Sequence, residues 1–267
     1  QGLTPSKFMK QLSREELAQF LIEKADQYAK YSFVQDDPIQ IPHAFSSAED
    51  IEISALIAAT LSWGNRKTII AKSNDLMDRM DRSPAEFIRS ASESDLEAFN
   101  GFVHRTFQSE DIKGLARGLK MLYQEYESLG AFFKAHVREG DAHLGHTFQA
   151  FKGYLLSNGL PLRAGKHFGD PSKGSACKRL IMFTRWMVRS NKEGIDFGLW
   201  DIDPALLSLP LDVHSGRVAR SLNLLKRKQN DWKAVEELDL SIRKIAPNDP
   251  ARLDYALFGL GVYEGWK

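Results

Sequence analysis

The sequence predicts an all-α protein, and three observations support this class. Apolar residues recur at spacings of three and four along most of the 267 residues. The alternating apolar and polar pattern typical of β-strands is almost absent. Glycine and proline concentrate between the periodic segments, most densely at residues 158–174 with four glycines and two prolines.

The first helix is predicted over residues 13–31, because Ser13 and Glu16 form a capping box before an apolar-periodic run. Residues 33–47 contain Pro38 and Pro42, which indicate an irregular connection. Residues 48–63 begin acidic and continue apolar, as expected of a buried helix with carboxylates near its positive end. Further helical patterns follow near residues 66–80, 84–90, 93–104, 111–127, 129–138 and 144–157.

The second half of the chain follows the same plan. Residues 158–174 are predicted to be a loop or hairpin, and a long helix is predicted over 175–191. Residues 192–212 are irregular around a short turn at 203–208. The remaining predicted helices span residues 213–226, 231–245 and 250–265.

Positive charge is concentrated in one part of the chain, although the net charge is only +1. Residues 151–230 hold 14 lysines and arginines against 6 aspartates and glutamates, whereas the rest of the chain holds 22 against 29. A basic segment of this kind is what a phosphate-binding face needs. An ordinary solvated lysine-rich surface explains the composition equally well.

The chain has a single cysteine, Cys177, so an internal disulfide is excluded, as is any zinc or iron–sulfur site that needs several thiolates. No apolar run approaches the roughly 18–20 residues that cross a bilayer. His136, His143 and His146 lack a metal-ligand spacing with a carboxylate, so no transition-metal site is predicted. We expect a cytoplasmic, nucleoid-associated monomer without a membrane segment.

Residues 174–179 (GSACKR) are predicted to begin the long helix over 175–191. Small residues such as Gly174 and Ser175 let a ligand approach the backbone closely. The free amides of a helix start favour an anion, and Arg179 adds positive charge. A phosphate is therefore the expected ligand at this helix start. The amine of Lys178, close to it, is a candidate nucleophile toward an electrophilic carbon such as a sugar C1′.

Asp212 lies at an N-cap position, in the segment LPLDVHSGRVARSL (209–222). A helix cap is a sufficient explanation for this residue. A carboxylate at this place can also stabilise positive charge on a sugar ring and transfer protons during imine formation. The segment by itself leaves both interpretations open.

Together, these segments resemble the helix-hairpin-helix DNA glycosylase superfamily. The residues after Pro210 are similar to its pattern V-D-x-H-x-x-R-V-x-x-R-L, and GSACK (174–178) is similar to the second half of its hairpin, G-V-G-x-K. The matching positions are Asp212, His214, Arg217 and Val218 in the first segment, where Arg220 lies one position before the second arginine of the pattern, and Gly174 and Lys178 in the second.

The resemblance implies a fold and a DNA-bound complex. It implies two helical subdomains that flank a cleft, one formed by residues 45–174 and the other by 1–44 with 175–267. It implies that Lys178 attacks C1′ and that Asp212 is its electrostatic and proton-transfer partner. The residues expected to contact DNA are Gly174, Ser175, Arg179, His214 and Arg217.

Two further segments carry the resemblance. Residues 55–77 are similar to the family's early helix pair, whose polar connecting loop fills the gap left by a flipped base. Residues 254–266 are similar to the last helix of the archaeal 8-oxoguanine glycosylases, which lines the base pocket, and of a bacterial group of unknown function. These matches place Trp63, Asn65, Arg66, Asp254 and Phe258 among the base-flipping and pocket residues.

The chain departs from the family pattern in two places. Lys178 and Asp212 are 34 positions apart, whereas the commoner family spacing is nearer twenty, and Lys192 lies 20 positions before Asp212. Lys192 is therefore a competing nucleophile, although Lys178 has the better position at the hairpin-helix start. The hairpin reads FGDPSKGSA instead of L-P-G-x-G, which alters the backbone that could bind a phosphate or a monovalent cation.

The resemblance therefore predicts a DNA glycosylase and AP lyase that removes an oxidised purine, such as 8-oxoguanine, from double-stranded DNA through a lysine Schiff base. No cofactor is expected, because superfamily members with an iron–sulfur cluster use four cysteines. The alternative is a non-catalytic DNA-binding protein that has kept the fold. A helical scaffold with no nucleic-acid role is a third interpretation.

Overall fold

The computed structural model describes residues 12–266. Its residues are 64% helical and 2% strand, so the all-α prediction is confirmed. Among residues 12–266, no helix is both long enough and apolar enough to cross a membrane. In chain order the α-helices are α1 (Arg14–Tyr28), α2 (Ala48–Leu61), α3 (Arg66–Arg79), α4 (Pro84–Ser90), α5 (Ser109–Tyr126), α6 (Leu129–Ala135), α7 (Gly145–Ser157), α8 (Lys178–Val188), α9 (Val213–Ser221), α10 (Trp232–Ile242) and α11 (Leu253–Val262).

Short 3₁₀ helices connect several of these elements. The irregular stretch predicted at 33–47 consists mainly of such turns, and the turn predicted at 203–208 is another. They span Tyr31–Asp36, Pro38–Gln40, Pro42–Ala44, Asp95–Phe99, Leu162–His167, Pro171–Lys173, Asn191–Glu193, Pro204–Leu206 and Pro250–Arg252.

The prediction of a helix over residues 93–104 was wrong. A 3₁₀ turn, Asp95–Phe99, is followed by an antiparallel pair of two-residue strands, β1 (Val103–His104) and β2 (Phe107–Gln108). Gly101 and Arg105 both have positive φ, +77° and +54°, which ends the helical path and turns the chain back. Each strand is too short for an alternating pattern to reveal it.

The predicted buried helix is confirmed as α2, because every residue from Ile51 to Leu61 is buried. It packs against α3 on one side and α8 on another. Its one buried charge, Glu52, accepts hydrogen bonds from the Tyr123 hydroxyl at 2.8 Å and the Trp200 indole at 2.6 Å. The backbone amide of Gly130 is a further donor, at 2.9 Å. Glu52 thereby joins α2, α5, α6 and the segment before α9.

The first and last helices of residues 12–266 pack together. The first described helix, α1, lies along α11, and α11 also packs on α9. The buried apolar residues nevertheless form one continuous core that includes Leu21, Leu56, Phe133, Trp186 and Leu260. The division into residues 45–174 and 1–44 with 175–267 stays a prediction, and residues 1–11 of the second unit lie outside the described residues.

Candidate active site

The starts of α8, α9 and α11 face a common cavity of about 270 Å³. Its wall mixes aromatic rings, aliphatic groups, carboxylates and cations. The lining residues are Phe33, Asp37, Arg66, Lys178, Met182, Arg185, Pro210, Asp212, His214, Ser215, Asp254, Leu257, Phe258, Gly261 and Val262.

Lys178 and Asp212 meet at this cavity. The Nζ of Lys178 lies 2.7 Å from Oδ2 of Asp212, and the two side chains keep 38% and 32% of their surface exposed. Lys178 is the first residue of α8, and Asp212 is the N-cap of α9. Two helix beginnings that are far apart in sequence therefore bring an amine and a carboxylate together where a ligand can reach both.

The two carboxylate oxygens of Asp212 have different partners. Its Oδ1 accepts hydrogen bonds from the amides of His214 at 2.8 Å and Ser215 at 2.9 Å, which caps α9. In return, the hydroxyl of Ser215 accepts from the Asp212 amide at 2.9 Å. The helix cap thus holds the carboxylate in place while Oδ2 faces Lys178.

Partial burial alone would raise the pKa of Asp212. The Lys178 ammonium and the two helix amides outweigh that effect, so the pKa of Asp212 is lowered from its ordinary value. The carboxylate is therefore negatively charged throughout the neutral pH range. Such a group can stabilise a positive charge that develops beside it.

The helix predicted to start at residue 175 begins instead at Lys178. Cys177, the residue before it, has a left-handed backbone with φ of +51°, and Gly174 has φ of +80°. Four small residues thus form a turn rather than the first helical turn. Gly169 is needed for this turn, because a Cβ there would come within 2.7 Å of the Cys177 sulfur and 2.8 Å of the Ser175 hydroxyl.

The cavity wall carries two further carboxylates, Asp37 and Asp254. Asp254, on α11, pairs with the buried guanidinium of Arg185 from α8. Asp37 caps the turn Pro38–Gln40, where its Oδ1 accepts from the Ile39 amide at 3.0 Å. Burial raises the pKa of both carboxyl groups, and the charge of Arg185 opposes this rise.

Arg185 belongs to a buried ionic network beneath the cavity. Its Nε lies 3.3 Å from Oδ1 of Asp196, whose other oxygen accepts from Arg189 at 3.1 Å and from the Tyr255 hydroxyl at 2.7 Å. Both guanidinium groups also lie over the Tyr255 ring. Buried charges need such complete pairing, so this network fixes α8 to α11 and holds Asp254 in position.

Sequence reasoning missed Arg185 and Asp37. Arg185 could have been noticed as a charge on the apolar face of a helix whose residues from Phe183 to Val188 are all buried. Asp37 precedes Pro38 in the connection before α2, where a cap is an adequate explanation. Nothing in its local sequence indicates that it lines the same cavity as Lys178 and Asp254.

A second cavity of about 390 Å³ lies on the other side of Lys178, which lines both. Its wall includes the turn before α8 and the end of α2. The lining residues are Ser62, Trp63, Gly64, Lys166, His167, Gly169, Ser175, Ala176, Cys177, Lys178, Arg179 and Leu180.

Arg179 points into the protein instead of toward solvent. Its Nη1 donates to the Thr60 carbonyl at 2.7 Å, and the guanidinium lies 4.9 Å from the centre of the Trp63 ring. Burial lowers the pKa of Arg179 to about 10. In this conformation the guanidinium fixes α8 to α2, and the contact between Arg179 and DNA stays a prediction.

The Trp63 ring also packs against neighbouring side chains. Its ring contacts His167 at a centroid distance of 5.1 Å and His104 at 4.8 Å, in addition to Arg179. Asn65 caps α3 by accepting from the Thr68 amide at 3.2 Å. The role of Trp63 and Asn65 in filling the gap left by a flipped base stays a prediction.

The structure thus brings together part of the predicted site. Besides Lys178 and Asp212, the first cavity is lined by four predicted site residues: His214, Arg66, Asp254 and Phe258. The guanidinium of Arg66 lies 5.8 Å from the centre of the Phe258 ring. Ser175, Trp63 and Arg179 line the second cavity. Gly174, Asn65 and Arg217 line neither of the two.

Lys192, the competing nucleophile, lies on a different part of the surface. It belongs to the turn Asn191–Glu193, is exposed, and lines neither of the two cavities. Among residues 12–266, no group of three or more histidine, cysteine, aspartate or glutamate side chains could hold a metal ion. Of the two candidate lysines, Lys178 is therefore the one that lies beside Asp212.

Comparison with known proteins gives one family. Residues 37–263 match the family described as "Protein of unknown function (DUF2400)". The chain belongs to this family. No curated protein and no solved structure matches the chain. The match spans the cavity residues from Asp37 to Val262, whereas Phe33, which also lines the first cavity, precedes the matched region.

Proposed function

We propose that this protein is a DNA glycosylase and AP lyase that removes an oxidised purine through a Schiff base on Lys178. The observation that carries the proposal is the 2.7 Å contact between the Lys178 amine and the Asp212 carboxylate at the mouth of one cavity. An amine and a carboxylate so placed can act together on one sugar carbon.

The first step breaks the bond between the base and C1′. The negative Asp212 stabilises positive charge on the sugar ring as the base leaves with the bonding electrons and takes up a proton. Asp212 transfers a proton from Lys178 to the leaving base, and the lone pair of the amine then forms the bond to C1′. The C1′–O4′ bond opens while a second proton moves from the nitrogen to O4′, which gives the protonated imine.

The second step is strand cleavage. The imine withdraws electrons from C2′ and makes its protons more acidic, so a proton acceptor can remove one of them. The C3′–O bond then breaks and the 3′ phosphate leaves with its electrons. Hydrolysis of the imine returns Lys178 as a free amine.

The basic surface near the two cavities suits the DNA backbone. No side chain among residues 12–266 caps the start of α8, so its first amides are available to a phosphate. Lys166, exposed beside the second cavity, and His214, exposed at the first, can contact neighbouring phosphates. Arg217 is exposed on the same helix as His214.

Borohydride trapping tests the proposal. Duplexes that contain 8-oxoguanine or a plain abasic site are incubated with wild type, Lys178→Gln, Asp212→Asn and Lys192→Gln. We expect wild type and Lys192→Gln to form equal amounts of covalent adduct, and Lys178→Gln to form none. Asp212→Asn should trap at least about 100-fold more slowly, because removal of a group with an acid–base or electrostatic role costs this much.

Lys192→Gln is the matched control, since it removes the same charge from an exposed site. Loss of the adduct in Lys192→Gln, or no adduct with wild type on either duplex, would contradict the proposal. Salt-dependent binding of duplex DNA that persists without any adduct would instead support the non-catalytic DNA-binding alternative.

A further inference from the structure

The charges around the first cavity cancel. Its wall carries three carboxylates, Asp37, Asp212 and Asp254, and three cationic groups, Arg66, Lys178 and Arg185. A phosphate or another anion gains little from such a balanced wall, and so does a cation. The half-buried rings of Phe33 and Phe258 offer apolar surface to the same space. An uncharged, flat ligand with hydrogen-bonding edges fits these surroundings best.

Two of the carboxylates retain an oxygen for such a ligand. Asp37 uses Oδ1 for the Ile39 amide, and Asp254 uses Oδ2 for Arg185. Within residues 12–266 their other oxygens accept no hydrogen bond. An ionised carboxylate only accepts hydrogen bonds, so the free oxygens of Asp37 and Asp254 each require an N–H or O–H donor on the ligand.

We propose that Asp37 is a specificity-determining residue that, with Asp254, selects a base presenting two adjacent N–H donors on one edge. Among the common bases a guanine-type edge has this arrangement, with a ring N–H beside an exocyclic amine. Its neighbouring carbonyl finds a donor in the Arg66 guanidinium, which lines the same cavity. This inference rests on the proposed function, in which a flipped base enters the cavity and is read on its Watson–Crick edge.

Other bases satisfy the two carboxylates less well. A hypoxanthine-type edge keeps the ring N–H but lacks the amine, which leaves one carboxylate oxygen unpaired. An adenine-type edge places a ring acceptor where the N–H should be, so a lone pair faces a carboxylate. Unpaired or opposed polar groups in a partly buried site are costly, and this cost is the basis of discrimination.

Calorimetric binding of free nucleosides tests the inference without any reaction at Lys178. The probes are deoxyguanosine, deoxyinosine and deoxyadenosine, and the proteins are full-length wild type, Asp37→Asn and Asp36→Asn. We expect wild type to bind deoxyguanosine about tenfold more tightly than deoxyinosine, which corresponds to about 1.4 kcal/mol. Deoxyadenosine should bind more weakly still.

Asp37→Asn should reduce the preference for deoxyguanosine over deoxyinosine to about twofold or less. Asparagine can keep its carbonyl oxygen on the Ile39 amide, as a good cap, and then presents an NH₂ donor to the cavity. Asp36→Asn removes the same charge from an exposed neighbouring residue and should leave the preference unchanged. Circular dichroism melting confirms that the variants are folded.

Equal binding of the three nucleosides by wild type, no binding of any of them, or an unchanged preference in Asp37→Asn would overturn the inference. The two proposals fail separately. If wild type traps abasic DNA but shows no nucleoside preference, only the inference about Asp37 is lost. If the preference is present but no duplex is trapped, the proposed lyase function is lost.

Discussion

At the residue scale, the position of the Asp212 carboxylate depends on Ser215. The Ser215 hydroxyl accepts from the Asp212 amide, lies 3.2 Å from Oδ1 of the same residue and reaches the Pro210 carbonyl at 3.0 Å. Without this hydroxyl, Asp212 would keep its amide contacts but lose part of its orientation toward Lys178. Ser215 is therefore a positioning residue in the proposed reaction.

We predict that Ser215→Ala slows trapping of abasic DNA three- to tenfold, roughly the effect of one hydrogen bond of about 1 kcal/mol. Ser215→Thr, which retains the hydroxyl, should restore most of the rate. The single-turnover rate should respond to Ser215→Ala in wild type and hardly at all in Asp212→Asn. A purely structural role would slow both backgrounds equally, and that result would contradict the prediction.

The separate residues of the site differ in how far the sequence could predict them. Lys178 and Asp212 lie in segments with a recognisable pattern, and the structure places their charged atoms 2.7 Å apart. Arg185 and Asp254 are 69 positions apart and show no shared local pattern. Their pairing follows from how α8 packs on α11, which only the folded chain reveals.

At the element scale, the packing of α1 on α11 requires a glycine. A Cβ at Gly259 would overlap the ring of Tyr28 on α1. This ring cannot easily move, because its hydroxyl donates to Glu264 at 2.5 Å and its face stacks on Tyr263. The first and last helices of residues 12–266 are thereby held at close approach.

We predict that Gly259→Ala lowers the free energy of unfolding by about 1–3 kcal/mol, as overpacking of a tight contact does. Gly153→Ala is the matched control, because Gly153 lies within α7 and a Cβ there meets no atom within 4 Å. The control should instead gain about 0.5–1 kcal/mol from reduced backbone freedom. Urea unfolding monitored by circular dichroism measures both changes, and a neutral Gly259→Ala would contradict the prediction.

The sequence predicted most of the helices. It did not predict the residue at which α8 begins, beside the candidate site. The capping box of Ser13 and Glu16 and the apolar run of α2 are local signals, and both are confirmed. The start of α8 depends on a left-handed Cys177 that Ser175 and Gly169 support. Such a backbone costs energy for a residue with a side chain, so propensity alone predicts an earlier start.

At the scale of the whole molecule, folding stability depends on a buried carboxylate that does not line the first cavity. Asp239, on α10, is 1% exposed and accepts from the Ser208 hydroxyl at 2.7 Å, with Arg243 at 3.2 Å. Burial raises its pKa from 3.8 to about 6, against the opposing effect of Arg243. The folded protein therefore binds more protons at this residue than the unfolded chain between about pH 4 and pH 6.

The sign of the effect follows from this difference. As pH rises from 4 to 6, the unfolded chain loses its proton at Asp239 first, so the contribution of Asp239 to the free energy of unfolding decreases. The total decrease is at most about 3 kcal/mol. We predict that Asp239→Asn removes this decrease, as measured by urea unfolding at a series of pH values, whereas exposed Asp36→Asn does not. An identical pH profile for wild type and Asp239→Asn would contradict the prediction.

The burial of Cys177 has a practical consequence. It is the only cysteine of the chain, is 4% exposed, and burial raises its pKa to about 12. Alkylating reagents attack the thiolate, which this residue rarely forms while the turn before α8 is closed. The natural sequence therefore carries an intrinsic chemical reporter one residue before Lys178. Its rate of modification by iodoacetamide would register each opening of that turn, with no second thiol to obscure the signal.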